Sequence, residues 1–220
     1  MLYKLMFSQS GGDRQYDLAQ LNIPDITDMP NMDRLDQELA SVLEKVCKST
    51  VYHTKRAIGW SYFASFIKED SIGLEIGVDM GDGLARILER KPRIIYAIDP
   101  WVAWDDEWSD SQNMMDARFK FVCNKYSANE SVVILRETSD EFFRTNGPQL
   151  DWAYIDGDHS YEQCLRDIIN SYDSLLSGGV IAIDDKNQPG VNRAINEFLP
   201  MRDDSVLVWS KTDPVIIGKK

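Results

Sequence analysis

The sequence predicts an α/β fold: a doubly wound, mostly parallel, Rossmann-like sheet that closes on an antiparallel hairpin and is preceded by N-terminal helices. Three stretches carry that prediction. Ile72 to Asp99 reads as strand, glycine-bearing turn, helix and strand. Leu150 to Asp185 reads as buried strand, polar turn, amphipathic helix, glycine pair and buried strand. Two final apolar runs, 205–209 and 214–219, are separated by a Ser-Lys-Thr-Asp turn and read as a hairpin.

At 220 residues the chain fits one large α/β domain, or a smaller one with an N-terminal extension. A hydrophobic share of 43% with 27% charged residues is ordinary for a globular chain and argues against wholesale disorder. The net charge of -12 argues against a nucleic-acid or anionic-membrane binder, because phosphate recognition runs on Lys and Arg. Neutral or cationic small molecules suit it better. Three scattered cysteines without metal-ligand spacing favour a reducing compartment. With no signal-peptide pattern and no run near the roughly 18 apolar residues of a membrane span, a cytoplasmic location is expected.

Taken in order, residues 1–32 are rich in turn formers, include Pro24 and Pro30, and are expected to be irregular. Asp33 to Lys48 spaces Leu35, Leu39, Val42, Leu43 and Val46 for an amphipathic helix. A second helix is expected over Thr54 to Lys68, with Ile58, Tyr62, Phe66 and Ile67 facing inward. Its aromatics Tyr52, Trp60, Tyr62 and Phe63 are read as packing the helix onto the sheet in preference to covering a pocket, and His53 as structural or exposed. The chain thus divides into an N-terminal arm and helix, residues 1–54, suited to covering substrate or contacting another copy, and a main domain, residues 55–220.

In the main domain the first strand, Ile72 to Ile76, enters a turn bearing Gly77, Gly81 and Gly83. The next strand, Arg93 to Ile98, ends on Asp99, 22 positions after Gly77. Glycines admit a ligand close to the backbone, and a carboxylate at the next strand end suits paired ribose hydroxyls. The turn departs from the G-x-G-x-x-G spacing of a dinucleotide site. Its acids Asp79 and Asp82 oppose a pyrophosphate and suit a nucleoside bearing positive charge. Trp101, two residues beyond Asp99, is placed to touch an adenine or the substrate. Trp104 and Trp108, four apart, are read as anchors of the helix that begins near Ser111. A third strand, Ser131 to Leu135, leads to Ser139, which suits a helix cap or a base-edge contact, and a helix over 140–144. Gly190 to Phe198 reads as a further helix.

The central stretch delivers Asp156 and Asp158 at one strand end and Asp184 and Asp185 at the next, with His159 three residues beyond Asp156. Ligands of open α/β sheets bind outside the carboxyl ends of strands, so these side chains are expected around one volume. An all-carboxylate set selects a hard, oxygen-loving cation such as Mg²⁺. Such an ion acidifies a bound hydroxyl, and a histidine near its ordinary pKa of ~6.5 accepts the proton.

With these residues in hand, the order of elements resembles the class I S-adenosylmethionine-dependent methyltransferases, over roughly residues 55 to 220. More narrowly, YIDGDHSY followed by Asp184-Asp185 resembles the metal-dependent sugar O-methyltransferases and the cephalosporin-hydroxylase-like proteins. The resemblance implies a seven-stranded sheet with a reversed final hairpin. It implies that Glu75, Gly77, Asp79 and Gly81 hold the methionine half of S-adenosylmethionine, that Asp99 binds the ribose and that Ser139 lies near the adenine. It implies Asp156, Asp184 and Asp185 as metal ligands, with His159 as general base. The implied partner is a small-molecule acceptor with free hydroxyls, a sugar or glycoside, and relatives often form homo-oligomers.

Two departures stand out. Asp184-Asp185 replaces the Asp-Asn of catechol-type enzymes, which makes a catechol the lesser alternative. Gly83 stands where many relatives carry serine. Other readings of the residues are an oxygenase or hydrolase on the same sheet, although facial-triad iron wants two histidines, and a non-catalytic cofactor-binding subunit.

Overall fold

A computed structural model describes residues 4–7, 14–17, 51–103, 111–144 and 147–220, with side chains described from Ile58 onward. The chain forms two compact units, Met1–Lys55 and Arg56–Lys220. In the first, β1 (Lys4–Phe7) pairs antiparallel with β2 (Arg14–Asp17), Lys4 opposite Asp17 and Phe7 opposite Arg14. A hairpin therefore stands within residues expected to be irregular. The four-residue strands KLMF and RQYD are too short to show a period among the turn formers around them. The helix expected over 33–48 lies outside the described residues, as do Trp104 and Trp108.

In the second unit, seven strands lie in the order β5-β4-β3-β6-β7-β9-β8. They are β3 (Ile72–Ile76), β4 (Ile94–Ile98), β5 (Val132–Leu135), β6 (Leu150–Ile155), β7 (Leu175–Ile183), β8 (Ser205–Trp209) and β9 (Val215–Lys219). β3 through β7 pair in parallel, whereas β9 runs antiparallel to both β7 and β8. This is the mostly parallel seven-stranded sheet with a reversed hairpin that the sequence predicts. The central strands read as near-continuous apolar runs because both faces are covered. Leu74, Ala153, Ile181 and Ile217 are fully buried.

The helices follow from spacing. α5 (Tyr161–Ser174) turns Cys164, Asp167, Ile168, Ser171 and Tyr172 inward, and α6 (Pro189–Phe198) turns in Val191, Ala194, Ile195 and Phe198. Their stripes meet where Tyr172 and Phe198 pack edge to face, 5.1 Å between ring centres. α2 (Asp82–Leu88) and α3 (Gln112–Tyr126) follow β3 and β4. α4 (Ser139–Arg144) follows β5. Among the described residues, no helix is long and apolar enough to cross a membrane.

Three local expectations shift. α1 spans Val51–Ala64, and beyond Ala64 the backbone continues as turns. The helix buries Trp60 and Phe63 and the segment after it buries Ile67, while Ile58, Tyr62 and Phe66 are only partly covered. β7 begins at Leu175, running through Gly178 and Gly179, where a register shift against Leu150 and Trp152 absorbs the glycine pair.

The strand order reverses at β3 and β6. The crevice outside their carboxyl ends is the switch point at which doubly wound sheets receive ligands.

Candidate functional site

The glycine turn after β3 is built for close approach. Gly77 has φ +84, and a Cβ on it would lie 2.0 Å from the backbone oxygen of Asp156. Only glycine lets the β3 turn touch the β6 turn in this way. Gly83 has no room either, because a Cβ there would lie 2.1 Å from Glu75 Oε1. The Glu75 carboxylate occupies the space a serine would fill, which accounts for the glycine.

Glu75 is 1% exposed and its Oε2 has no hydrogen-bond partner. Burial, then the charges of Asp156 and Asp99, push its pKa well above the ordinary range, against a stabilising Leu84 N–H. An orphaned buried acceptor in a cradle of glycines matches a cationic, amine-bearing ligand.

Asp99 sits at the end of β4 and accepts three backbone N–H groups: Val78 and Asp79 on Oδ2, both at 3.0 Å, and Trp101 on Oδ1 at 2.7 Å. A carboxylate offers about four acceptor sites, so roughly one is left for a hydroxyl. Burial raises the Asp99 pKa, and the three N–H groups oppose the rise.

Trp101 is fully buried, at φ +43, with its Nε1 donating to the Asp79 carbonyl at 3.0 Å. Its indole braces the turn from beneath. Asp79 has φ +47 and forms an ion pair with Arg118 at 2.7 Å, which offsets one of the two acids in the turn. Gly81, at φ +77, caps α2 and receives the Tyr126 hydroxyl on its carbonyl at 2.9 Å.

The Ser139 side chain is buried, with its Oγ donating to Asp167 Oδ1 at 2.5 Å. The cap of α4 is Thr138: its Oγ1 accepts from the Glu141 N–H, while Glu141 Oε2 accepts from the Thr138 N–H.

At the ends of β6 and β7 two groups of ligand-type side chains share Asp185. Asp156, His159 and Asp185 bring one atom each within 4.8 Å of one another, and so do Asp184, Asp185 and Asp213. His159 Nε2 lies 3.4 Å from Asp185 Oδ2 and 3.9 Å from Asp156 Oδ1. Asp156, helped by Asp185 and Asp158, raises the imidazole pKa against the opposing effect of burial. At 3.9 Å the pull of Asp156 is charge attraction; the closer approach is to Asp185. Asp158 accepts from the Ser160 N–H at 2.7 Å and so serves the turn.

Asp184 is 2% exposed and both its oxygens are engaged: the Tyr154 hydroxyl donates to Oδ2 at 2.6 Å and the Asp185 N–H to Oδ1 at 2.9 Å. Asp184 thus meets Asp185 and Asp213, while Asp156 meets Asp185 and His159. Asp213 was not picked out by sequence reasoning. It is a lone acid in the turn before β9, and only the antiparallel insertion of β9 beside β7 brings it here. It is 4% exposed and accepts the Lys186 N–H at 3.0 Å. Trp60 and Phe63 pack on Tyr154, at 4.6 and 5.6 Å between ring centres, and so support the side chain that holds Asp184.

The sequence profile of a family described as a methyltransferase domain matches residues 74–186, just over half of the chain. This chain belongs to that methyltransferase family. The matched span of the methyltransferase domain runs from β3 to the residue after Asp185 and contains every candidate side chain except Asp213.

Solved structures with the same fold include an rRNA methylase from Streptococcus thermophilus, 16% identical, covering 74% of this chain and 94% of that one at a TM-score of 0.52. The O-methyltransferase NovP is 18% identical, covering 76% and 80% at 0.53. The calicheamicin methyltransferase CalS11 is 16% identical, covering 96% and 99% at 0.51, and is also described as a TDP-rhamnose 3'-O-methyltransferase. At these identities the likeness is one of fold. No curated protein matches the chain by sequence.

Proposed function

We propose that this methyltransferase is an S-adenosylmethionine- and divalent-metal-dependent O-methyltransferase acting on a hydroxyl of a small molecule, a sugar or glycoside. The observation that carries the reading is the meeting of Asp156, His159 and Asp185 beside the glycine turn of β3. One strand turn can receive the methyl donor, and the neighbouring one can prepare a hydroxyl.

Glu75, Gly77, Asp79 and Gly81 bind the methionine half of the donor, with Trp101 bracing their turn. Asp99 offers its remaining acceptor site to the ribose, and the Ser139 turn receives the adenine. Asp156 and Asp185, with Asp184 beside them, hold a hard cation such as Mg²⁺. When bound, that ion lowers the pKa of a contacting hydroxyl, and S-adenosylmethionine supplies an electrophilic methyl group. His159 takes the hydroxyl proton at Nε2, where Asp185 and Asp156 stabilise the imidazolium that results. Holding the two reactants in one crevice supplies the proximity term.

A sugar acceptor is supported by the Asp184-Asp185 pair and by the fold shared with CalS11, described as a TDP-rhamnose 3'-O-methyltransferase. The net charge of -12 opposes an RNA acceptor. Residues 1–54 act as a substrate cover or as a contact between copies, and the protein works in the cytoplasm. Thermal shift with S-adenosylmethionine tests the donor: a rise in melting temperature is expected, with none for NADH. No shift with S-adenosylmethionine rejects the reading.

A further inference from the structure

α5 turns one acid into its buried stripe. Asp167 is 1% exposed and sits one helical turn beyond Cys164, directly before the fully buried Ile168. Burying a carboxylate costs free energy unless its oxygens find donors, so the partners of Asp167 show what it is for. Oδ1 accepts from the Ser139 hydroxyl at 2.5 Å and from Gln163 Nε2 at 2.9 Å. Gln163 Nε2 also reaches Ser139 Oγ at 3.0 Å, closing a triangle. Oδ2 lies near Gly157, where an added Cβ would meet it at 3.8 Å, an ordinary van der Waals distance. Gly157 stands between Asp156 and Asp158, inside the turn that carries His159.

One buried carboxylate therefore accepts from Ser139, in the turn after β5, and from Gln163 of its own helix, and lies near the turn after β6. Burial holds its pKa up at about 6 even with two donors on it, so Asp167 is kept at a cost in stability. A purely structural plug would be served by an apolar side chain.

We infer that Asp167 is a positioning residue: with Gln163 it holds the Ser139 turn in the conformation that receives the adenine end of the donor. The inference rests on the proposed S-adenosylmethionine site. Asp167 acts on the ligand through Ser139, without touching it.

The test is calorimetric titration of S-adenosylhomocysteine and of adenosine into wild type, Asp167→Asn, Asp167→Ala, Ser139→Ala and the Asp167→Ala/Ser139→Ala double variant. Melting temperatures are recorded alongside, and titrations run well below all of them. Loss of a hydrogen bond to a charged partner should weaken binding of both ligands about tenfold in Asp167→Ala. Ser139→Ala should weaken it similarly, and the double variant no further than either single change. Asp167→Asn, which retains an acceptor oxygen, should recover most of the affinity. Unchanged affinity in the variants, or additive losses in the double variant, overturns the inference while leaving the donor site standing. Failure of the wild type to bind either ligand rejects the donor site itself, and the inference with it. Should Asp167→Ala not fold, Asp167→Asn with Ser139→Ala decides the matter.

Discussion

Gly77→Ala tests the contact that brings the two halves of the site together. With φ +84, Gly77 occupies the left-handed region, where an alanine costs about 1–2 kcal/mol. The added Cβ would sit 2.0 Å from the Asp156 carbonyl, against a floor of 3.0 Å for real contacts. One turn must therefore retreat by about 1 Å. The obstruction is backbone, and the Asp156 N–H is itself bound to Ile76 O at 2.8 Å, so no side-chain rotation relieves it. Overpacking of this kind adds roughly 1–3 kcal/mol. At about 2–4 °C per kcal/mol for a domain of this size, the melting temperature should fall by roughly 5–15 °C. The same retreat moves Asp156 from Asp185, so S-adenosylhomocysteine affinity and Mg²⁺-dependent turnover should fall together, even at temperatures where the variant is fully folded. Differential scanning fluorimetry and calorimetric titration read the two effects. A variant that melts within 1–2 °C of wild type (roughly the resolution of the 1 kcal/mol scale) and binds the donor normally would refute the reasoning, since both the left-handed geometry and the contact would then be immaterial.

Other perturbations separate the roles. His159→Ala should reduce turnover by about 100-fold or more while leaving S-adenosylmethionine affinity nearly intact; an active variant removes His159 from the mechanism. Because the carboxylates raise the His159 pKa, the imidazole of the metal-free protein should hold its proton to a pH above the ordinary ~6.5, read as the NMR titration midpoint of its ring protons. A midpoint below that value contradicts the carboxylate contacts. The Asp167 pKa is raised to about 6 from an ordinary 3.8, so its ionisation opposes folding: the protonated form contributes stability at low pH, and that contribution is lost as pH rises through 6. Asp167→Asn should therefore gain roughly 2 kcal/mol relative to wild type between pH 4 and pH 7. Urea melts at the two pH values check this, and a pH-independent difference is the failing result.

The sheet was legible because burial on both faces of a parallel strand writes itself as an apolar run. Ile72–Ile76 appears as read, and the strands ending at Ile98 and Leu135 differ by a residue at their starts. The 205–209 and 215–219 hairpin was legible from its turn. The β1–β2 pair was not, because its short strands alternate weakly and lie among turn formers. In the site, strand-end position picked out Asp156, Asp184, Asp185 and Asp99, since each follows an apolar run directly. What pairs with what was not legible. That Asp184 is held by Tyr154, that Asp213 joins it, and that Asp99 spends three acceptor sites on its own loop are products of tertiary packing. Asp167 did leave a signal, as an acid at an inward position of α5. Its partner Ser139 is 28 residues away, on another helix, and no local pattern links the two.

The most direct test of the account is a methyl-transfer assay with isotopically labelled S-adenosylmethionine and a panel of glycosides, catechols, small hydroxylated metabolites and rRNA fragments, run with Mg²⁺ and with EDTA. The account predicts label on a glycoside hydroxyl, abolished by EDTA and restored by Mg²⁺. Transfer that survives EDTA, or that goes to RNA and to no small hydroxyl, contradicts it.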